Sequence, residues 1–108
     1  MFQRDYLMKQ LLVFFQALAR SLQQRQKEDN PLLAAQTLEN AISSATDLDG
    51  AALLSLSPES IAQVLRVSGV DPQVVSYIAH GLLLESQYLT DACERDLADV
   101  RKRQALAL

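Results

Sequence analysis

Ser57-Pro58-Glu59-Ser60-Ile61-Ala62-Gln63-Val64-Leu65-Arg66-Val67-Ser68-Gly69-Val70-Asp71-Pro72 reads as one complete helix, its stop, and the start of the next. Proline suits the first helical position, where its missing N–H leaves no bond unmade and its fixed φ is already helical. Ser57 before Pro58 is a capping residue whose side-chain oxygen accepts from an orphan N–H of the first turn. Ile61, Val64 and Leu65 follow at helical spacing and form a buried stripe up to about Val67. Gly69 lies where a left-handed residue closes a helix. Asp71-Pro72 then repeats the start signal.

The third proline of the chain, in Asn30-Pro31, carries the same signature. It opens a helix from Pro31 to about Ser44 that buries Leu38, Ala41, Ile42 and Ala45. No proline interrupts an apolar run, so the chain reads as all-α, a compact bundle of four to five helices in a single domain, residues 1–108. Helix starts fall near Gln3, Pro31, Pro58 and Pro72. The first helix, roughly Gln3 to Gln26, places Leu7, Leu11, Phe14, Phe15, Leu18 and Leu22 on one core face. Thr46-Asp47-Leu48-Asp49-Gly50 is a loop with an Asp-Gly turn signal, and Ala51–Leu56 forms at most a short helical turn. The helix from Pro72 is apolar around most of its circumference (Val74, Val75, Ile78, Ala79, Leu82, Leu83, Leu89), which marks a central element. Beyond Leu89 two readings stand: a capping box in Asp91-Ala92-Cys93-Glu94 that starts a new helix, or one long helix to the C-terminus. The stripe Leu89, Cys93, Leu97 and Val100 then faces the core, and Asp91, Arg95, Asp99 and Arg103 form an ion-pair ladder on a solvated face.

At 108 residues and 49% hydrophobic composition, the chain encloses one modest core. The net charge of −3 hides a pattern. Residues 1–28 carry five Lys/Arg against two carboxylates, residues 29–100 two against eleven, and residues 101–108 three against none. An acidic body repels phosphate backbones, so nucleic acid is not an expected partner. The apolar run Leu11–Phe15 is far too short to span a membrane. Lys9, Gln10 and Gln16 break the apolar segment ahead of Ala17-Leu18-Ala19, which argues against a secretory signal. The expected compartment is the cytoplasm.

Chemistry-bearing residues are sparse. A helix-turn-helix at Ile61–Ser76 is disfavoured by the long Gly69–Pro72 turn and by the absence of Lys or Arg between Val67 and Glu94. His80 stands alone on the polar arc of its helix. Cys93, the only cysteine, reads as a buried inert thiol with no partner for a disulfide or a metal. Asp47-Leu48-Asp49-Gly50 echoes a calcium loop, but Ala45 and Leu56 fall where that loop needs oxygen ligands. No catalytic, metal or cofactor-binding set is expected. Two apolar lines remain beyond the main core faces: Phe2, Tyr6, Val13 and Ala17 on the first helix, and Tyr77, Gly81, Leu84 and Tyr88 on the helix from Pro72. Each is read either as burial against a neighbouring helix or as a subunit surface, where aromatic residues are enriched.

The opening Met1-Phe2-Gln3-Arg4-Asp5-Tyr6-Leu7-Met8 and the stretch from Leu82-Leu83-Leu84-Glu85 to Ala105-Leu106-Ala107-Leu108 resemble a family of small helical proteins of Gram-positive bacteria, a domain of unknown function. The resemblance implies a C-terminal pair like a single tetratricopeptide hairpin, with Ser86 at its small position and Lys102 at its aromatic one, and implies no activity. The expected function is a non-catalytic helical interaction module, a homodimer that touches through Phe2, Tyr6, Val13 and Ala17 in preference to Tyr77, Leu84 and Tyr88. The alternatives are a peripheral membrane protein using the basic, aromatic first helix, and a small enzyme or ligand binder using a partly buried carboxylate such as Glu85.

Overall fold

All three X-Pro pairs cap helices. Asn30 Oδ1 accepts from the Leu33 N–H at 3.1 Å, Ser57 Oγ from Ser60 at 3.2 Å and Asp71 Oδ1 from Gln73 at 2.8 Å. The computed structural model describes the backbone of residues 2–108 and the side chains of residues 6–108. Within them the chain forms α1 (Phe2–Gln26), α2 (Pro31–Thr46), α3 (Gly50–Leu54), α4 (Pro58–Val67), α5 (Pro72–Asp91) and α6 (Arg95–Ala107). The count is six rather than four to five, for two local reasons.

The first lies in the Asp47–Gly50 segment. Asp47 closes α2 in the left-handed conformation (φ 58°), and Asp49 Oδ1 caps α3 by accepting from Ala51 N–H at 3.2 Å. Gly50 is buried against α2, where a Cβ would stand 3.0 Å from Ser43 Cβ and 3.2 Å from the Glu39 carbonyl. That close approach, rather than calcium binding, accounts for the Asp-Leu-Asp-Gly pattern. The second reason is Cys93. It takes φ 65°, and the Glu94 and Cys93 N–H groups bond back to the Leu89 and Thr90 carbonyls at 2.8 and 3.0 Å. This is a Schellman stop built on cysteine. Gly69 makes the same stop after α4, with φ 73° and Val70 bonded to Leu65 at 3.3 Å. Residues 72–108 are therefore a helical hairpin and not one long helix, and Cys93 is exposed rather than buried.

The break at Cys93 also resets the helical phase. Ala98, Arg101, Gln104 and Ala105 face the interior of α6, whereas Leu97 and Val100 are exposed at 38% and 39%. The expected stripe through Leu89, Cys93, Leu97 and Val100 does not form. The ladder is cut too: Arg103 pairs with Asp99 at 2.9 Å, but Asp91 pairs with Arg25 of α1 at 2.9 Å.

Helix α1 packs on α2 and α5, α5 packs on α2 and α6, and α4 packs on α6. Phe14, Ile42, Ile61, Leu65, Ile78 and Leu82 form the centre of the main core. Ala34, Ala35, Leu38, Tyr88, Leu89 and Ala98 form a second cluster. Phe14 is 2% exposed, and its ring edge lies in a notch that only glycine leaves open: a Cβ on Gly81 would meet Phe14 Cζ at 2.9 Å. The face of α1 that is buried runs through Phe14, Ser21 and Gln24, with Leu7, Leu11 and Leu18 half-buried. Phe15 and Leu22, expected in the core, are exposed at 47% and 42%.

Two substitutions test these assignments. Phe14→Ala is expected to cost about 3–5 kcal/mol in urea unfolding, through lost burial and the cavity left at the centre of the core. Cys93→Gly is expected to stabilise by about 1 kcal/mol, because glycine occupies the left-handed region without the Cβ penalty. A loss of stability for Cys93→Gly in the same assay would refute the strained stop.

Candidate functional site

Two features stand out from a packing-only reading: a closed polar cluster inside the bundle and an open apolar line outside it. The cluster is assembled from four helices. Glu85 projects inward from α5 and is 0% exposed. Arg101, one and a half turns from the start of α6, is 7% exposed and donates from Nε to Glu85 Oε2 at 3.1 Å. Its Nη1 donates to the Leu54 carbonyl at 3.0 Å and to Gln104 Oε1 at 3.1 Å. Its Nη2 approaches Glu39 Oε2 of α2 at 3.5 Å. Gln104 donates to both the Leu54 and Leu56 carbonyls at 2.9 Å. The Leu54 carbonyl ends α3 and the Leu56 carbonyl lies in the segment just after it, so side chains of α6 hold the exit of this five-residue helix.

Burial pushes the Glu85 carboxyl up to about 9; the adjacent Glu39 carboxyl adds to the rise, and Arg101 opposes it. A second buried contact joins α1 to α5: Ser21 Oγ and Tyr88 Oη lie 3.0 Å apart, both fully enclosed. Burial raises the Tyr88 phenol, while the Ser21 bond and the Arg25 charge act against the rise. Gln24 accepts from Thr37 Oγ1 at 2.7 Å, tying α1 to α2. A groove of about 410 Å³ runs between these two helices, lined by Gln16, Arg20, Gln24, Gln36, Thr37 and Asn40 among others. Glu85 does not line it, so the acid and the groove do not combine into one pocket.

The outer line lies on α1. Met8, Leu12, Phe15 and Leu22 are exposed at 61%, 57%, 47% and 42%. With exposed Ala19 they follow alternating steps of four and three residues. That is the heptad spacing by which one helix presents a seam to another. The seam spans roughly 21 Å along the axis at 1.5 Å per residue. Its outer flank carries Lys9, Gln16 and Gln23, all exposed. Phe15 at its centre meets Tyr77 of α5 edge to face, with ring centroids 4.9 Å apart.

The surface residues expected from the sequence are placed as follows. Phe2 lies outside the described side chains. Tyr6 and Val13 are exposed at 60% and 43%. Ala17 is half-buried against the core. Tyr77 is half-buried beside Phe15, Leu84 is half-buried against the second cluster, and Tyr88 is 3% exposed. Tyr88 is thus an interior residue covered by α1 rather than part of a surface. Glu85 is wholly rather than partly buried. His80 is exposed and bonds within its own helix, Nδ1 to the Ser76 carbonyl at 2.8 Å. Sequence reasoning missed Arg101 and Gln104, because it followed the apolar residues Leu97 and Val100 and assigned no role to the polar ones beside them. The signal was present as small residues, Ala98 and Ala105, bracketing them at i and i+7.

No protein-family model, curated protein or solved structure matches the chain. Among the described residues, no three metal-capable side chains come together, and no helix is long and apolar enough to cross a membrane.

Gln104→Ala is expected to cost about 1–3 kcal/mol by orphaning the Leu56 carbonyl and weakening the cap on α3. Arg101→Lys is expected to be nearly as damaging as Arg101→Ala, because one ammonium cannot make the three-sided contact of the guanidinium. Thermal unfolding followed by circular dichroism measures both, and full rescue by lysine would contradict the geometry.

Proposed function

We propose that this chain is a non-catalytic helical interaction module that pairs through the outer seam of α1, with a second copy of itself as the partner. The observation that supports this reading is the exposed heptad line Met8, Leu12, Phe15, Ala19 and Leu22. A single helix face of this spacing is matched by another helix with the same spacing, and two-fold self-pairing is the commonest way soluble chains cover one. Antiparallel pairing centred on Phe15 and Gln16 sets Lys9 of one copy near Gln23 of the other and Gln16 near its own counterpart. No like charges meet there, and amides can bond across the flank. Tyr6 and Val13 lie around the helix from this seam, so the contact is shifted from Phe2, Tyr6, Val13 and Ala17 to the opposite shoulder of α1.

The amide-rich flank favours a protein helix over a lipid surface, since membrane-bound helices border their apolar face with Lys and Arg. In this reading the setting is the cytoplasm, which suits a lone exposed thiol. The α5–α6 hairpin is the segment with tetratricopeptide character. Ser86, at its small position, is buried and donates to the Ala98 carbonyl at 2.9 Å, while Lys102, at its aromatic position, is exposed. It serves as scaffold rather than as a peptide groove, which takes stacked repeats.

Light scattering on the purified chain at micromolar concentration is expected to give the mass of a dimer. Leu12→Glu is expected to give a folded monomer with an unchanged helical circular-dichroism spectrum, since Leu12 contributes little to the core, and a melting temperature that no longer depends on protein concentration. A monomeric wild type would end the self-pairing reading, and a monomer that floats with anionic vesicles would reassign the seam to a membrane.

A further inference from the structure

We propose that Glu85 and Glu39 hold a single proton between them, and that this proton is the latch that keeps α2 and α6 closed over α5, so that alkaline solution loosens the α5–α6 hairpin. The argument rests on a count of donors. Arg101 gives Nε to Glu85 Oε2, Nη1 to Leu54 and Gln104, and Nη2 to Glu39. None of these reaches Glu85 Oε1, a buried oxygen without a bonding partner. No other group donates to it. Gln104 spends its amide N–H groups on Leu54 and Leu56, and α3 presents only carbonyls. On α1, the enclosed Ser21 hydroxyl donates to the Leu18 carbonyl and lies beside Tyr88 Oη.

What acts on Glu85 besides Arg101 is the Glu39 carboxyl, which shares the same guanidinium: Nε reaches Glu85 Oε2 at 3.1 Å and Nη2 reaches Glu39 Oε2 at 3.5 Å. Two bare carboxylates in that contact repel, and a proton on one turns the repulsion into a short hydrogen bond. The charge count agrees: two carboxyls and one guanidinium are neutral only with one proton added. Glu85 is the holder, being 0% exposed, whereas the Glu39 side chain is 23% exposed and keeps its charge in contact with water. Glu39 and Arg101 are the charged groups that face it, from α2 and α6. Alkali removes the proton to solvent and leaves one excess negative charge in the core, relieved when α6 or α2 moves aside and water enters.

The sign of the linkage follows. Folded Glu85 keeps its proton up to about pH 9, whereas an unperturbed glutamate releases it near 4.5. Its contribution to stability is complete below 4.5 and is lost as the pH rises toward 9. The test uses the full chain with carboxyl-¹³C glutamate. The Glu85 resonance, assigned by its loss in Glu85→Gln, is expected to show a protonated carboxyl at pH 7 and to titrate near pH 9. In Glu39→Gln its midpoint is expected to fall by about one pH unit or more. Melting curves between pH 5 and 9 are expected to show a decline in the wild type that is absent from Glu85→Gln, because glutamine imitates the protonated acid. A carboxylate shift at neutral pH, a midpoint unmoved by Glu39→Gln, or a Glu85→Gln chain that fails to fold would each overturn the shared proton.

Discussion

The guanidinium of Arg101 is the constraint around which the interior is arranged. It sits at the junction of α2, α3, α5 and α6 and bonds to a group from each of the first three while Gln104 braces it from its own helix. A buried guanidinium is costly unless its donors are met, so every one of these positions must be correct at once. Hydrophobic contacts tolerate small slides, because one methyl replaces another. A fork of N–H donors aimed at fixed carbonyl and carboxyl oxygens does not. The hydrophobic clusters supply most of the burial, and the polar cluster selects one docking of the α5–α6 hairpin among those that bury similar area.

The same cluster explains how α3 exists. Five residues cannot sustain a helix by propagation alone. Here Asp49 meets the N-terminal donors and α6 meets the C-terminal carbonyls. The helix is held at both ends by side chains, one local and two distant. Leu53 and Leu54 are thereby fixed as buried residues at 3% exposure each, and they close the core beneath α2.

Local chemistry carried the legible part of the fold. Asn30, Ser57 and Asp71 before proline mark helix starts that the structure keeps, and Gly69 marks a stop. These signals act over a few residues and do not depend on tertiary context. What was not legible is phase. Cys93 holds a left-handed conformation without glycine's advertisement, and the capping box read at Asp91–Glu94 does not form: Asp91 ends α5, and α6 starts after Glu94 with no side-chain cap. The rotation of α6 was therefore misread, and Arg101 and Gln104 drew no attention because polar residues do not advertise burial. On α1 the apolar residues cover too much of the circumference for periodicity to choose the buried face. Phe15 and Leu22 are as hydrophobic as Phe14 and Leu18, and the choice between them is made by the notch at Gly81 on another helix. Glu85 could be recognised as an acid among apolar neighbours, but its burial depends on a cation sixteen residues away in the chain.

The short turns place most packing between helices that are neighbours in sequence, α1 with α2 and α5 with α6. Contacts of that kind close small loops and lose little chain entropy as they form. The bonds from Arg101 and Gln104 to the Leu54 carbonyl are of the other kind, spanning 47 and 50 residues. They share that long-range role with the packing of α5 on α1 and α2, and with the Ser21–Tyr88 and Arg25–Asp91 contacts, which span 67 and 66 residues. The contacts that join the two hairpins therefore carry the larger loop-closure cost, and the polar knot is the part of that junction that is bonded in one fixed geometry.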